Sequence, residues 1–244
     1  MSALEPAAFY TGIVADAYAA LRSASVDPDR YARFVLDHGE PALELGCGDG
    51  HPLLDLVARG LDVTGLDSSA DMLRRCRAFA QARRLQVDLV CQPMQEMRLG
   101  RTFASIYLAG PTFNLLPDDA AAQHALRAIG DHLMADGAAL VPLWIPGPTP
   151  VADLGVAREA VDDGVLLRYT PLAETYDENT RTRVTAARYE RVRPDGRVDV
   201  ADRDWVLHWW DAEAFTALCA RAGVELRELE VSDDGTKLTA VVGR

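Results

Sequence analysis

The chain has 244 residues, 49% of them hydrophobic, and a formal net charge of −12 at pH 7. That length suffices for one large core, or for a core with a smaller appendage. The acidic balance argues against nucleic acid as a partner, because phosphate neutralisation needs clustered Lys and Arg. No apolar stretch approaches membrane-spanning length.

The amino terminus, Met1-Ser2-Ala3-Leu4-Glu5-Pro6, has no basic region followed by an apolar run. No signal peptide is therefore expected, and the cytosol is the expected compartment. Cys47, Cys76, Cys91 and Cys219 form no C-x-x-C and no short His/Cys cluster, so no metal is expected. Residues from about Tyr10 to Asp37 read as two short amphipathic helices broken near Asp27-Pro28-Asp29. Tyr10, Tyr18 and Arg22 fall near one face of that segment.

Pro41-Ala42-Leu43 is short and largely apolar, as a buried strand would be. Glu44-Leu45-Gly46-Cys47-Gly48-Asp49-Gly50 follows, and then Leu53, Leu54, Leu56 and Val57 at helical spacing. Strand, glycine loop and helix begin a nucleotide-binding βαβ unit. A dinucleotide loop would place its third glycine where His51 stands, and a Walker loop would need a lysine that is missing. What remains is acidic-x-G-x-G-x-G. Asp62 to Asp67 reads as a second strand ending in an acid. Asp67 lies 21 residues beyond Gly46, close to the ~20 expected of an acid that hydrogen-bonds ribose. Ser68-Ser69 then caps a helix through Met72, Leu73 and Cys76.

Further strands are expected at Val87 to Cys91 and Phe103 to Leu108, the latter opening into Ala109-Gly110-Pro111. Asp118 and Asp119 begin a long helix reaching roughly Ala135, and Ala138 to Trp144 reads as a central strand. Residues 165–208 favour antiparallel strands, with Thr182, Val184 and Ala186 as a partly apolar row and Pro194-Asp195-Gly196 as a turn. Helical spacing resumes from Asp211 to Ala222, with Gly223 as its C-cap, and two last strands complete the chain. The order implies an α/β fold: one doubly wound, Rossmann-like seven-stranded sheet with an antiparallel last strand and a β-rich insertion. The expected division is 1–38 as an N-terminal helical lid, 39–146 as the cofactor-binding core, 147–209 as the insertion and 210–244 as completion of the core. Ligands of open α/β sheets bind beyond the carboxyl ends of the strands. Glu44, Gly46, Cys47, Gly48, Asp67, Ser68, Leu108, Ala109 and Gly110 converge there as cofactor candidates.

The glycine loop and its acids resemble the first motifs of the class I S-adenosylmethionine-dependent methyltransferases. The whole chain is most similar to small-molecule members, in particular the amino-sugar N-methyltransferases of macrolide biosynthesis. That resemblance implies S-adenosylmethionine as cofactor. It implies that Tyr10, Tyr18 and Arg22 close over it, and that Met72 packs on the adenine. The same residues also read as ordinary helix packing or core. After the third strand such enzymes often carry Gln-Asp-Met, with the acid receiving the adenine amino group; here Gln92-Pro93-Met94 stands instead as the cofactor-binding candidate, with the Met94 N–H to reach the ring and Gln92 or Gln95 to substitute for the acid. After the fourth strand they tend to have His or Tyr, where this chain has Leu115.

The implied function is methyl transfer to N or O of a small molecule in natural-product biosynthesis. The alternative is a cyclase or isomerase on the same fold that retains S-adenosylmethionine, since fold alone does not fix chemistry. His208, beside Trp209-Trp210, is the base candidate, against a plain strand-end histidine. Phe113, Asn114, Trp144, Tyr169 and Trp209 are candidates to line a substrate pocket, and Arg168 to select an anionic substrate. A homodimer built partly through the insertion at 165–208 is expected, because an appended antiparallel layer has edges and a partly apolar row that need cover.

Overall fold

The computed structural model describes residues 9–21 and 26–244. In chain order the first elements are α1 (Ile13–Leu21), α2 (Pro28–His38), β1 (Ala42–Leu45), α3 (Leu53–Ala58), β2 (Val63–Asp67), α4 (Ala70–Ala82) and β3 (Asp88–Cys91). Next come β4 (Phe103–Leu108), α5 (Asp119–His132), β5 (Leu133–Trp144), β6 (Arg158–Asp162), β7 (Val165–Asp177), β8 (Thr182–Val192) and β9 (Val198–His208). The chain closes with α6 (Ala212–Ala222), β10 (Glu225–Val231) and β11 (Lys237–Gly243). The chain divides into two units: residues 1–25 with 146–208, and residues 26–145 with 209–244.

The larger unit holds a seven-stranded sheet in the order β10-β11-β5-β4-β1-β2-β3. Its first five strands pair in parallel, while β11 runs antiparallel to both β5 and β10. The chain reverses its winding between β1 and β4, and such a switch point opens a crevice at the strand ends. Helix starts are set by local chemistry. Asp27, Ser69, Asp118 and Asp211 each accept a backbone N–H of the first turn of α2, α4, α5 and α6. Gly223 closes α6 at φ 77°. Helix α5 stops at His132, three residues before the expected end, because Leu133 already pairs with Phe103 in the sheet.

Apolar layers cover both sheet faces. Leu43, Leu45, Phe103, Ile106, Leu126, Phe215 and Trp210 form one. Tyr31, Val35, Ala42, Leu53, Leu73 and Tyr107 belong to the other. Period-two alternation along β1 puts Glu44 on the same side as Ala42, inside the second layer. Helix α2 buries Tyr31, Ala32, Phe34 and Val35 there. It therefore belongs to the sheet unit, and the boundary falls after residue 25 and not at 38.

The smaller unit is helix α1 on a four-stranded antiparallel sheet, β6-β7-β8-β9. Phe9, Ile13, Val14 and Ala17 pack on Leu167, Ala187 and Tyr189. Asp16 pairs with Arg191 at 2.6 Å. The best-buried row of β8 is Arg183, Thr185, Ala187 and Tyr189, whereas Thr182, Val184 and Ala186 are only half-buried. Arg183 can lie in the buried row because it finds partners. It donates to the Gly147 carbonyl (2.9 Å), lies near Glu174 (3.7 Å) and sits over the Trp205 ring. Glu174 also accepts from the N–H and hydroxyl of Thr149 (both 2.6 Å) and from Thr185 (2.9 Å). Those donors hold its carboxyl below the ordinary range. Among the described residues no helix is long and apolar enough to cross a membrane.

Candidate functional site

The loop after β1 folds back on the end of β2. The N–H groups of Gly46 and Cys47 both donate to the Leu66 carbonyl, at 2.7 and 3.0 Å. Gly48 N–H donates to Asp67 Oδ2 (2.9 Å) and Ser69 N–H to Oδ1 (2.7 Å). Gly46 and Gly48 adopt φ 69° and 54°, a left-handed conformation that glycine takes without steric cost. A Cβ on Gly46 would collide with the Thr112 methyl, and one on Gly48 would press on the Met72 methyl at 3.3 Å. Burial raises the Asp67 carboxyl above its ordinary range, against the two backbone donors. Cys47 is buried, and desolvation pushes its thiol well up, so it is no nucleophile here.

Glu44 has no exposed surface. Its Oε2 accepts the Tyr107 hydroxyl at 2.7 Å, while Oε1 has no hydrogen-bond partner among the described residues. Burial pushes this carboxyl up to about 8, and the acids Asp67, Asp49 and Asp55 add to the rise. Tyr107 lies directly opposite Glu44 in the β1–β4 register, so both side chains share one face. Its ring is tilted against Tyr31 at 5.2 Å, and the Tyr31 hydroxyl accepts the Gly110 N–H at 3.0 Å. Two tyrosines thus brace the ends of β1 and β4. Neither was an expected site residue. Tyr31 sits in an amphipathic helix that sequence alone joins to α1, and the β1–β4 register has no local signal.

The other candidates of the larger unit are placed as follows. Met72 is buried beneath the loop, and Ser68 lends its carbonyl to the Cys91 thiol. Gln92 donates its N–H to the Asp67 carbonyl, and its Oε1 already accepts Arg98 N–H (2.8 Å). Pro93 and Met94 open a short 3-10 turn that ends at Glu96, so the position where such enzymes carry an acid is a proline. Leu108 is buried, Ala109 accepts the Thr112 hydroxyl, and Gly110 turns the chain at φ 75°. Phe113 is fully buried against Trp210 and Phe215, so its ring fills the core and does not line a cleft. Asn114 is likewise interior. Its amide brackets the backbone of Trp144, donating to the carbonyl (2.8 Å) and accepting the N–H (3.0 Å). Trp144 is half-buried and Trp209 is buried.

In the smaller unit, Tyr10 packs edge-on against Phe9 and Tyr18, at 4.9 and 5.4 Å. Arg22 lies outside the described residues. Arg168 donates to Glu159 (2.7 Å) and Glu190 (3.2 Å), so its charge is matched within the sheet. Tyr169 packs on Tyr189 at 5.2 Å. His208 is buried at the end of β9, opposite Thr182.

Residues 42–137 match the methyltransferase domain family. This stretch is a methyltransferase domain. A Streptomyces fradiae dTDP-3-amino-3,6-dideoxy-alpha-D-glucopyranose N,N-dimethyltransferase is 32% identical over 152 residues, which cover 58% of this chain and 57% of that protein. A Geobacillus sp. (strain WCH70) methyltransferase relative is 29% identical over 95 residues, 39% of this chain and 38% of its own. The chain thus spans less than two thirds of the length of these curated relatives. Among solved structures, the CcbJ methyltransferase from Streptomyces caelestis superimposes with a TM-score of 0.76 at 20% identity, over 97% of this chain and 98% of that one. CalS10, an amino pentose methyltransferase from Micromonospora echinaspora, gives 0.68 at 22%, over 96% and 98%. At such identities the shared property is the fold.

The methyltransferase domain's residues fit S-adenosylmethionine. A carboxylate offers about four acceptor positions, and backbone donors occupy two on Asp67. The remainder suit a vicinal diol. The left-handed glycines keep side chains away from the loop's open face. The unpartnered Glu44 oxygen lies in an acidic surround suited to a cation. The end of β3 fits less well, since Pro93 supplies neither a side-chain acceptor nor an N–H.

Proposed function

We propose that the chain is an S-adenosylmethionine-dependent methyltransferase acting on N or O of a small molecule in natural-product biosynthesis. The observation that carries this reading is Asp67, half-buried at the end of β2 and pinned by Gly48 and Ser69 N–H. The S. fradiae relative, named for dimethylation of an amino sugar nucleotide, favours nitrogen as the acceptor. When bound, the cofactor supplies a methyl group on a positively charged sulfur, an excellent leaving group. The protein's work is therefore mainly alignment, which supplies roughly 7–11 kcal/mol in well-oriented systems. Asp67 holds the ribose, the loop from Gly46 to Gly50 holds the methionine end, and Gly110, fixed by Tyr31, shapes the end of β4. A neutral amine needs no strong base, whereas an alcohol or phenol needs proton removal worth about 10²–10⁴-fold. All four cysteines are free thiols, which supports a reducing, cytosolic setting.

Asp67→Ala removes charge-assisted hydrogen bonds worth about 1.5–3 kcal/mol each. Calorimetric affinity for S-adenosylhomocysteine should fall at least tenfold, the factor that about 1.4 kcal/mol implies. Unchanged affinity in a folded variant removes the assignment. Formation of S-adenosylhomocysteine with a nucleotide-linked amino sugar tests methyl transfer itself. Cofactor bound but never consumed would favour the cyclase or isomerase reading.

We propose further that the chain forms a homodimer through the second sheet. Val161, Leu166, Val192 and Val198 stand directly opposite one another across β6, β7, β8 and β9. Val161 and Val198 are 70% and 50% exposed, which is costly for an apolar row beside free strand edges. Light scattering should give twice the chain mass at micromolar concentration. Val161→Asp should return it to a monomer.

A further inference from the structure

We infer that Glu44 holds a proton in the ligand-free site and surrenders it when the cationic cofactor settles on the glycine loop, so that cofactor binding is coupled to proton release. The inference rests on the reading of this site as the S-adenosylmethionine site.

The geometry comes first. Glu44 lies at the end of β1, two residues before Gly46, and its side chain is wholly enclosed. One donor, the Tyr107 hydroxyl, reaches Oε2, and Oε1 has none among the described residues. An ionised carboxylate in that position would be buried with a single hydrogen bond, the costly case for a charge. The groups facing it from neighbouring elements do not relieve it. From β4 comes Tyr107 and from α2 Tyr31. From β2 comes Asp67, from the loop Cys47 and Asp49, from α3 Asp55 and from α4 Cys76. Of the nearby cations, Arg30 of α2 acts on Tyr31 and Arg77 of α4 on Cys76. Asp67, Asp49 and Asp55 all oppose a further negative charge. Burial and these acids together push the Glu44 carboxyl up to about 8.

S-adenosylmethionine carries an ammonium, a sulfonium and one carboxylate, a net positive charge. Placed on this loop, it supplies the opposite charge that favours the ionised acid. The O–H bond of the Glu44 carboxyl breaks, its electron pair stays on the carboxylate, and the proton passes to the solvent buffer. Nothing is oxidised or reduced. The cation then meets a carboxylate that was neutral before it arrived. The empty site avoids holding a buried charge, and the filled site gains one that attracts.

The experiment is calorimetric titration of the full chain with S-adenosylmethionine in buffers of different ionisation enthalpy. About 0.9 proton should be released per ligand at pH 7, the fraction that a group near 8 still holds there. Affinity should rise nearly tenfold from pH 6 to pH 7 and level off above pH 8. S-adenosylhomocysteine, which lacks the sulfonium charge, should release less. Glu44→Gln should bind without the release and without the pH rise. Tyr107→Phe removes the donor that favours ionisation, so its affinity rise should move to higher pH. Binding with less than about 0.3 proton released, or equal release from Glu44→Gln, overturns the inference while leaving the cofactor reading intact. No binding at all overturns the cofactor reading, and this inference with it.

Discussion

Glu44→Gln is expected to show a much flatter urea midpoint from pH 5 to 8.5 than the wild-type protein, which loses stability steadily across that range. In the unfolded chain the Glu44 carboxyl has its ordinary value near 4.5; folded, it stands at about 8. Below 4.5 both states hold the proton, and the contribution of Glu44 is fully present. Between 4.5 and 8 only the folded state keeps it, so every unit of rising pH favours unfolding. Above 8 the loss is complete. At about 1.4 kcal/mol per unit, the full loss is on the order of 3–5 kcal/mol, the upper end assuming no relaxation of the site. Glutamine fills the same space, and its carbonyl can still accept the Tyr107 hydroxyl. Other titrations do not confuse the comparison. The carboxyls held low, among them Glu174, Asp199 and Asp234, act at more acid pH, and Asp67, held high, is common to both proteins. Chemical denaturation at four pH values settles the matter. Parallel profiles for the two proteins would mean that Glu44 is ionised in the folded state.

Much of the sheet unit is legible in the sequence because its signals are local. Apolar β1, the left-handed glycines and the α3 pattern lie within twenty residues and fix one βαβ start. Ser69, Asp118, Asp211 and Gly223 mark helix ends at the positions where the structure has them. The antiparallel turn at Pro194-Asp195-Gly196 falls between β8 and β9. What escaped depends on contacts between distant segments. Sequence joins α1 and α2 into one leading segment, because they are consecutive and both amphipathic. The structure separates them: α1 serves the second sheet and α2 the first, a choice made by Tyr31, Phe34 and Val35 finding the β1 face. Composition likewise marks Thr182, Val184 and Ala186 as the partly apolar row of β8, and the row beside it is the more buried. Arg183 and Thr185 are the better buried, since the Gly147 carbonyl and Glu174 satisfy the one and Glu174 the other.

The same division runs through the site. Gly48 and Asp67 were readable from spacing, and the structure joins them by a hydrogen bond. Tyr107 was hidden, because its role exists only through register with Glu44, and Tyr31 because its partner lies 79 residues away. Phe113 and Asn114 failed as pocket candidates for an instructive reason. A strand that ends near a ligand site often turns straight into the core. Here the 3-10 turn after Pro111 drives Phe113 inward and uses Asn114 to tie down the end of β5.

Gly46→Val is expected to lower cofactor affinity by at least about 100-fold, equivalent to about 2.7 kcal/mol, in a protein that still folds. Gly46 sits at φ 69°. An L-residue held there costs roughly 1–2 kcal/mol, and a β-branched one is a still poorer fit. Its Cβ would also occupy the place of the Thr112 methyl. Thr112 cannot swing aside freely, because its hydroxyl is bound to the Ala109 carbonyl at 3.2 Å. The loop must therefore move. It is held by the two N–H bonds to Leu66 and by the Gly48 bond to Asp67, so a shift of Gly46 disturbs the carboxylate expected to hold the ribose. Gly60→Ala separates this effect from simple backbone strain. Gly60 has φ 87° with no atom within 4 Å of an added Cβ, and it lies beyond the far end of α3. That variant should lose a comparable increment of stability and keep its affinity. Isothermal titration with S-adenosylhomocysteine on both folded variants decides between the outcomes. If Gly46→Val binds as the wild type does, the loop is not where the cofactor sits. If both variants bind poorly, the loss reflects general strain and not the geometry of this turn.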